Sequence, residues 1–503
     1  MSTDYDLLII GGGVNGAGIA RDAAGRGMSV LLVEAGDLAG ATSSASTKLI
    51  HGGLRYLEYY EFRLVREALR EREVLLGLAP HIIWPLDFIL PHVPGVRPAW
   101  MVRIGLYLYD HLGKLKRLKP SKGIDLGLDP SGRPLKDSYK KGFQYSDCWV
   151  QDSRLVVLNA LDASELGAHI LTRTACTGLK AVDGHWQAEL RDVNNGETLT
   201  RTATMVVNAA GPWVHKVLEG NNLIHQGKTH NIRLVKGSHI IVPRIFEGPQ
   251  AYILQQPDRR IVFAIPYEYN YTLIGTTEVD YHDDPTAPKI GDAEKEYLCS
   301  AVNRYFKTTL APAGIVHTYS GVRPLLDDGK GAAREVTRDY TLELETHYGA
   351  PILSVFGGKI TTYRRLAEET IGKLMPYWTR AHENPASQSP WTDTVPLPGG
   401  DMLNADFDGF LADQAERYDW LPPDLLLRYA RAYGTRMDRM LKAATDMNSL
   451  GRHFGDGIYL IEIEYLRKFE WAKTAEDILW RRSKMLLHIS DMTRRSVEAY
   501  MDQ

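Results

Sequence analysis

Leu7-Leu8-Ile9-Ile10 is an apolar run with no polar interruption, the pattern of a strand buried on both faces of a parallel sheet. Over residues 15–26 Ala and Gly recur on one face instead, which predicts a helix lying close against that strand and closed by Gly27. Residues 30–33 form a second unbroken apolar run, ending at Glu34. Much further along, Met205-Val-Val-Asn-Ala-Ala-Gly211-Pro212 and Val355-Phe-Gly-Gly358-Lys359 again read as strands that end in small residues. A helix is predicted after the second of these, running through Arg364 to Met375.

Between these segments the pattern shifts to short strand-like runs at 239–242, 251–254, 260–265 and 272–276, which predict an antiparallel sheet. After the Pro/Ser/Thr-rich stretch 384–400, residues 422–447 and 461–503 read as amphipathic helices. Tyr465, Phe469, Ala472, Ala475 and Leu479 make a core-facing stripe. The expected fold is α/β, with a discontinuous Rossmann-like domain over 1–79, 145–226 and 326–385. A mostly antiparallel substrate domain is inserted over 80–144 and 227–325, and an all-helical domain occupies 386–503.

Composition narrows the class. A net charge of -3 lacks the basic footprint of a nucleic-acid binder. Three cysteines (Cys148, Cys176, Cys299) without metal-like spacing point to a reducing compartment, no disulfide framework and no metal site. Asp4 and Asp6 flank the first apolar run where a secretory leader carries positive charge, and no run reaches the ~18 residues that span a bilayer. The expectation is a cytoplasmic protein, either free or attached to a membrane surface.

Gly11-Gly12-Gly13-Val14-Asn15-Gly16 fits G-x-G-x-x-G between a strand and a helix. The three glycines permit a tight turn, approach of backbone to a pyrophosphate, and close helix–strand packing. Glu34 lies where a carboxylate grips a ribose 2′-hydroxyl, and it would repel a 2′-phosphate. Three features favour FAD over NAD. The second strand is followed by Ala41-Thr-Ser-Ser-Ala-Ser-Thr47, small residues suited to running along an extended dinucleotide. The strands ending near 211 and 358 let backbone pass close to a cofactor. A helix start after Gly358 can stabilise negative charge on a reduced flavin.

The segments G-G-G-x-N-G-A-G, A-T-S-S-A-S-T-K-L-I-H-G-G-L-R-Y-L, T-Y-S-G-V-R-P-L, T-R-D-Y and F-G-G-K-I-T-T-Y-R together resemble the FAD-dependent glycerol-3-phosphate dehydrogenases, most closely the aerobic respiratory enzymes of bacteria. The resemblance spans essentially the whole chain. It implies a fold of the glutathione-reductase/D-amino-acid-oxidase type. It also implies FAD contacts at Gly11, Gly13, Asn15, Gly16, Glu34, Thr42, Ser43, Ser44, Ser46, Lys48, Leu49, His51, Gly52, Gly53, Ala210, Gly211, Trp213, Gly358, Lys359 and Thr361. The implied reaction is hydride transfer from C2 of glycerol 3-phosphate to the flavin, giving dihydroxyacetone phosphate. Electrons then pass to quinone, in a homodimer held on the inner face of the cell membrane.

Arg55, Arg323, Arg338 and Lys359 each lie beside glycines or at a strand end. Arginine offers a planar fork that matches phosphate oxygens, and the resemblance raises these four as the phosphate-binding set, with Tyr56 also facing the substrate. Loss of the C2 hydroxyl proton calls for a base. His239, in Lys236-Gly-Ser-His, and His51, beside the cofactor loop, are the candidates. Arg323 or Lys359 could also lower the hydroxyl's pKa. The competing readings are an oxidase of the same fold that uses oxygen, an amino-acid oxidase, and a flavin-binding protein without catalysis. The apolar, aromatic segment 100–109, followed by Lys114, Lys116, Arg117, Lys119 and Lys122, reads either as an interfacial helix or as a core helix with a basic loop.

Overall fold

The computed structural model describes residues 3–93, 98–113, 115–224, 232–326, 339–379 and 389–503, with the backbone alone for residues 55, 58, 59 and 326. Strand Tyr5–Ile10 lies inside a mixed sheet. It pairs in parallel with Val30–Glu34 on one side and with Thr198–Asn208 on the other. His169–Thr172 and Ile352–Phe356 extend the parallel set outward. Helices Val14–Gly25, Asp152–Glu165 and Tyr363–Leu374 bury one face of the sheet, which is why its strands are nearly continuous Val, Ile and Leu. The antiparallel pair Thr174–Val182 and His185–Asp192 contributes Leu179, Trp186 and Leu190 to the core on the other face.

Register brings distant segments together. Ile10 lies opposite Asn208, and Asn208 opposite Ser354. The residues that follow these strands, Gly11, Ala209 and Gly357, therefore emerge at one edge of the sheet. In open α/β folds the carboxyl ends of the strands are where ligands sit.

Among the described residues the second sheet holds ten strands, including the expected antiparallel set Ile232–Pro243, Ala251–Gln255, Ile261–Tyr267 and Tyr271–Gly275. One boundary and one strand assignment differ from expectation. Lys141–Val150 is one continuous strand paired with Ile83–Pro91 along its length, so the boundary expected at 145 falls inside it. Leu49–Ile50 also joins this sheet, through Trp149 and Cys148. The stretch expected as a connector is not a spacer where it is described. Trp391 stacks under Arg21, with 4.8 Å from guanidinium to ring centroid, and Arg21 donates to the carbonyls of Thr392 and Val395.

The C-terminal part has its own core, built from Tyr429, Tyr433, Ile463, Leu466 and Ile478 among others. The predicted helix over 461–503 is broken. Leu460–Phe469 ends before Trp471, which takes φ 56°, and a π-helical turn spans Asp477–Arg482. Tyr465, Ala472, Ala475 and Leu479 are still buried, because the chain re-enters a helical path after the break.

Helix Ala99–Leu112 has an inner and an outer face. Leu106 and Tyr109 face the core, while Trp100, Ile104 and Tyr107 are 63%, 51% and 53% exposed. Its apolar surface points outward. Among the described residues no helix is long and apolar enough to cross a membrane.

Candidate active site

Gly11 takes φ +112°, a conformation that side chains resist, and a Cβ there would lie 2.6 Å from the Ala209 carbonyl oxygen. A Cβ at Gly16 would overlap the Gly11 carbonyl. The turn is therefore possible only with this glycine pattern. Helix Val14–Gly25 begins at Gly13 with no side-chain cap of its own. Ser43 reaches in from the following loop, its Oγ accepting from the Val14 N–H at 3.0 Å. Glu34 accepts from the N–H groups of Gly12 (2.6 Å) and Gly36 (2.7 Å). Burial pushes its carboxyl above the usual range, against the pull of those two amides.

Asn15 ties the first segment to the third. Its Nδ2 donates to Gly357 O at 3.2 Å, and its Oδ1 is buried without a hydrogen-bond partner among the described residues. Gly358 lies directly against the same side chain. Thr361 joins the third segment to His51, its Oγ1 accepting from the His51 N–H (3.3 Å) and donating to the His51 carbonyl (3.4 Å). In the second segment, Ala210 N–H reaches Asn208 Oδ1 at 3.4 Å and Gly211–Trp213 forms a short turn.

The loop from Thr42 to Tyr56 is the common wall. Thr42 donates to Val322 O (2.7 Å) on the second sheet, and Ser44 to Ala41 O (3.2 Å) within the loop. Ser46 donates to Asp152 at 2.7 Å. Lys48 is buried and paired with the same carboxylate at 2.8 Å, so its charge helps shape the loop. Leu49 is likewise turned into the core of the second sheet. Gly52 N–H donates to Tyr109 Oη at 2.7 Å; that hydroxyl donates to Asp147, which is paired with buried Arg72.

Opposite this wall stands one face of the second sheet. His239 pairs with Tyr319, Gly237 with Gly321 and Val235 with Arg323, so His239 and Tyr319 share a face with Gly237 and Gly321. Gly237 leaves room for the guanidinium: a Cβ there would lie 2.5 Å from Arg323 Nη2. Arg323 also approaches Thr276 Oγ1 (3.4 Å) and Glu278 (3.6 Å). His239 stacks on Tyr319 at 4.8 Å, lies against Gly275 where no Cβ fits, and meets Thr47 Oγ1 at 3.0 Å through Nε2. Burial, then the charges of Lys48 and Arg323, hold its pKa well below the ordinary imidazole value. Lys359 sits over the Tyr56 ring at 4.4 Å. The side chain of Arg55 and all of Arg338 lie outside the described residues.

Thr47, Asp152 and Tyr109 were not singled out from sequence. The partners of Thr47 and Asp152 lie more than a hundred positions away, and no local pattern marks them. A long dinucleotide fits what is present: a helix N-terminus capped by a side chain at Val14 alone, a carboxylate at the end of the second strand, an orphaned Asn15 oxygen, and three small-residue strand ends on one edge. These features define a dinucleotide-dependent oxidoreductase.

The comparisons agree. The family described as FAD dependent oxidoreductase matches residues 6–364, and the C-terminal domain of alpha-glycerophosphate oxidase matches residues 390–502. The chain is 52% identical to a D-erythritol 1-phosphate dehydrogenase of Brucella abortus, over 99% of this chain and 97% of that protein. It is 52% identical to a glycerol-3-phosphate dehydrogenase of Pseudomonas aeruginosa, over 99% and 95%. The solved structure of the Bacillus halodurans glycerol-3-phosphate dehydrogenase with FAD superposes with TM-score 0.77 at 26% identity, covering 99% of this chain and 90% of that one. The chain belongs to the FAD-dependent glycerol-3-phosphate dehydrogenase family, and its cofactor is FAD.

Proposed function

We propose that the chain oxidises sn-glycerol 3-phosphate at C2 to dihydroxyacetone phosphate and passes the electrons to a quinone at a membrane surface. The observation that carries this reading is the placement of His239 and Arg323 on neighbouring strands of one sheet, beside the loop that bears Tyr56 under Lys359. When bound, FAD supplies a two-electron hydride acceptor. Arg323 offers a fork, and Lys359 a point charge, to a phosphate that carries nearly two negative charges. His239, kept neutral by burial and by the cations near it, is able to accept a proton at neutral pH. The arriving dianion offsets those cations as the proton moves. Arg55 and Arg338 complete the phosphate-binding set in this proposal.

The membrane side of the reading rests on helix Ala99–Leu112, whose exposed Trp100, Met101, Ile104 and Tyr107 form an apolar face. Beside it, a groove of about 870 Å³ carries Arg66, Arg70, Lys116 and Arg117 for anionic headgroups, together with the carboxylates Glu67, Glu71, Glu73 and Asp393. A second substrate reading has its own observation, the 52% identity to the erythritol phosphate enzyme. A longer alditol phosphate presents the same phosphate and a secondary alcohol.

The test is anaerobic titration of the FAD-loaded protein with each phosphate while flavin absorbance is recorded. Bleaching by stoichiometric glycerol 3-phosphate is expected. Bleaching by D-erythritol 1-phosphate at far lower concentration would reassign the substrate, and a spectrum unmoved by either would end the dehydrogenase reading. Turnover with a quinone analogue exceeding turnover with oxygen is expected; rapid peroxide release would favour an oxidase.

A further inference from the structure

His239 has two ring nitrogens, and the structure treats them differently. Nδ1 is sealed inside protein, with no hydrogen-bond partner among the described residues. Nε2 faces the cofactor loop and meets Thr47 Oγ1 at 3.0 Å. The ring has little freedom to exchange the two. It stacks on Tyr319 at an interplanar angle of 18°, and Gly275 lies against its Cδ2–Nε2 edge. A proton reaching this imidazole from a bound molecule therefore arrives at Nε2.

Thr47 is fixed from both sides. Ser46 donates to Asp152 at 2.7 Å, and Lys48 is ion-paired to the same carboxylate at 2.8 Å. Tyr319, the ring beneath His239, donates to the Ser46 carbonyl at 2.9 Å. One buried carboxylate, at the start of helix Asp152–Glu165, thus holds the residues flanking Thr47. The residue between them is only half-buried. Such precision for a threonine next to a buried imidazole has a chemical use.

We propose that Thr47 is a proton relay between the substrate hydroxyl and His239. The proposal rests on the alcohol-oxidation reading above. As hydride leaves the carbinol carbon for FAD, the substrate O–H bond breaks and its proton forms a bond to Thr47 Oγ1. The proton Thr47 carried passes to His239 Nε2. The carbonyl product, reduced flavin and imidazolium balance the two electrons and the proton. The charged groups acting on His239 are Lys48 and Arg323, with Asp152 and Glu278 as their respective counter-ions; Tyr319 is the neutral face. The substrate phosphate is what brings further negative charge to this set.

The test compares flavin reduction by glycerol 3-phosphate in single-turnover mode for the parent, Thr47→Val, Thr47→Ser, His239→Gln and Thr47→Val/His239→Gln. FAD content and the oxidised spectrum report folding. Expected is a loss of about 10²–10⁴-fold in the reduction rate for Thr47→Val, the range for a positioned acid–base group, with substrate affinity little changed. Thr47→Ser should stay within a few-fold of the parent. The double variant should be no slower than the slower single one, because residues acting as a unit are not additive. The pH dependence of reduction should lose its acid limb in both Thr47→Val and His239→Gln. The relay is overturned if Thr47→Val keeps the parent rate and pH profile, or if valine and serine are equally slow. If the FAD-loaded parent itself is not reduced, the substrate reading has failed, and the relay with it.

Discussion

At the scale of single residues, Glu34 serves two purposes at once. Its carboxylate ties Gly12 to Gly36, which shapes the glycine turn, and in the proposed cofactor site it also accepts from a ribose hydroxyl. Removing it costs the turn a brace and the cofactor a charged acceptor. A hydrogen bond to a charged group is worth about 1.5–3 kcal/mol, so Glu34→Ala should weaken FAD retention by roughly 10- to 100-fold. Equilibrium dialysis against FAD checks this, with substrate affinity of the reconstituted enzyme as the control; unchanged retention would remove Glu34 from the cofactor site. Glu34 and the glycines were legible in the sequence because their chemistry is local: a strand, a turn and a helix close together in the chain. Thr47 was not, because its meaning comes from His239, 192 positions away. The pairing of Lys48 with Asp152 is likewise invisible until the chain folds.

Among the elements, helix Ala99–Leu112 joins a surface to the site. Its inner side carries Tyr109, whose hydroxyl holds the Gly52 N–H, while its outer side presents Trp100, Ile104 and Tyr107. Composition alone left this helix between core and interface, because an apolar segment does not reveal which of its faces finds a partner. The fold decides that by burying the apolar side chains of Leu106 and Tyr109 alone. Burying one large apolar side chain is worth about 1.5–3 kcal/mol, so Trp100→Ser/Ile104→Ser should lower partitioning onto anionic phospholipid vesicles at least about tenfold. Flavin reduction in solution should be unaffected, since neither side chain faces the site. Sedimentation with vesicles checks it; equal binding of parent and variant would take this face out of the membrane reading. Strands and helices were otherwise legible wherever period and burial agree. They were misplaced where a strand crosses an expected domain boundary, as Lys141–Val150 does, or where a residue with positive φ interrupts a helical pattern, as Trp471 does in the C-terminal part.

For the whole molecule, the C-terminal domain is seated on the rest of the chain by buried charge, at Asp37 and on helix Asp152–Glu165. Asp37, shortly after Glu34 in the chain, receives Arg481 and Arg482 at 2.6 Å each, and Arg154 is paired with Glu470. Removing one partner of such a pair leaves an uncompensated charge, so these contacts fix where the domain sits more than they add stability. No periodicity in either segment announces them. Lys484 is the exception in this interface. It is buried over Trp480 at 4.5 Å, and its Nζ has no hydrogen-bond partner among the described residues. Burial, reinforced by repulsion from Lys48, lowers its pKa from 10.5 to about 7. Below about pH 7 both folded and unfolded chains carry the proton, and the fold bears the full cost of a buried charge. Between about 7 and 10.5 the unfolded chain keeps the proton while the folded chain has shed it, so this group makes stability rise with pH. Lys484→Met removes the charge and keeps the packing. It should raise the apparent melting temperature at pH 6, by an amount corresponding to about 1–4 kcal/mol, and the gain should shrink toward pH 10. Calorimetry of parent and variant across that range checks it. A gain of equal size at every pH would mean that Lys484 is not a buried charge, and a loss at pH 6 would mean that the ammonium has a counter-charge that holds the two domains together.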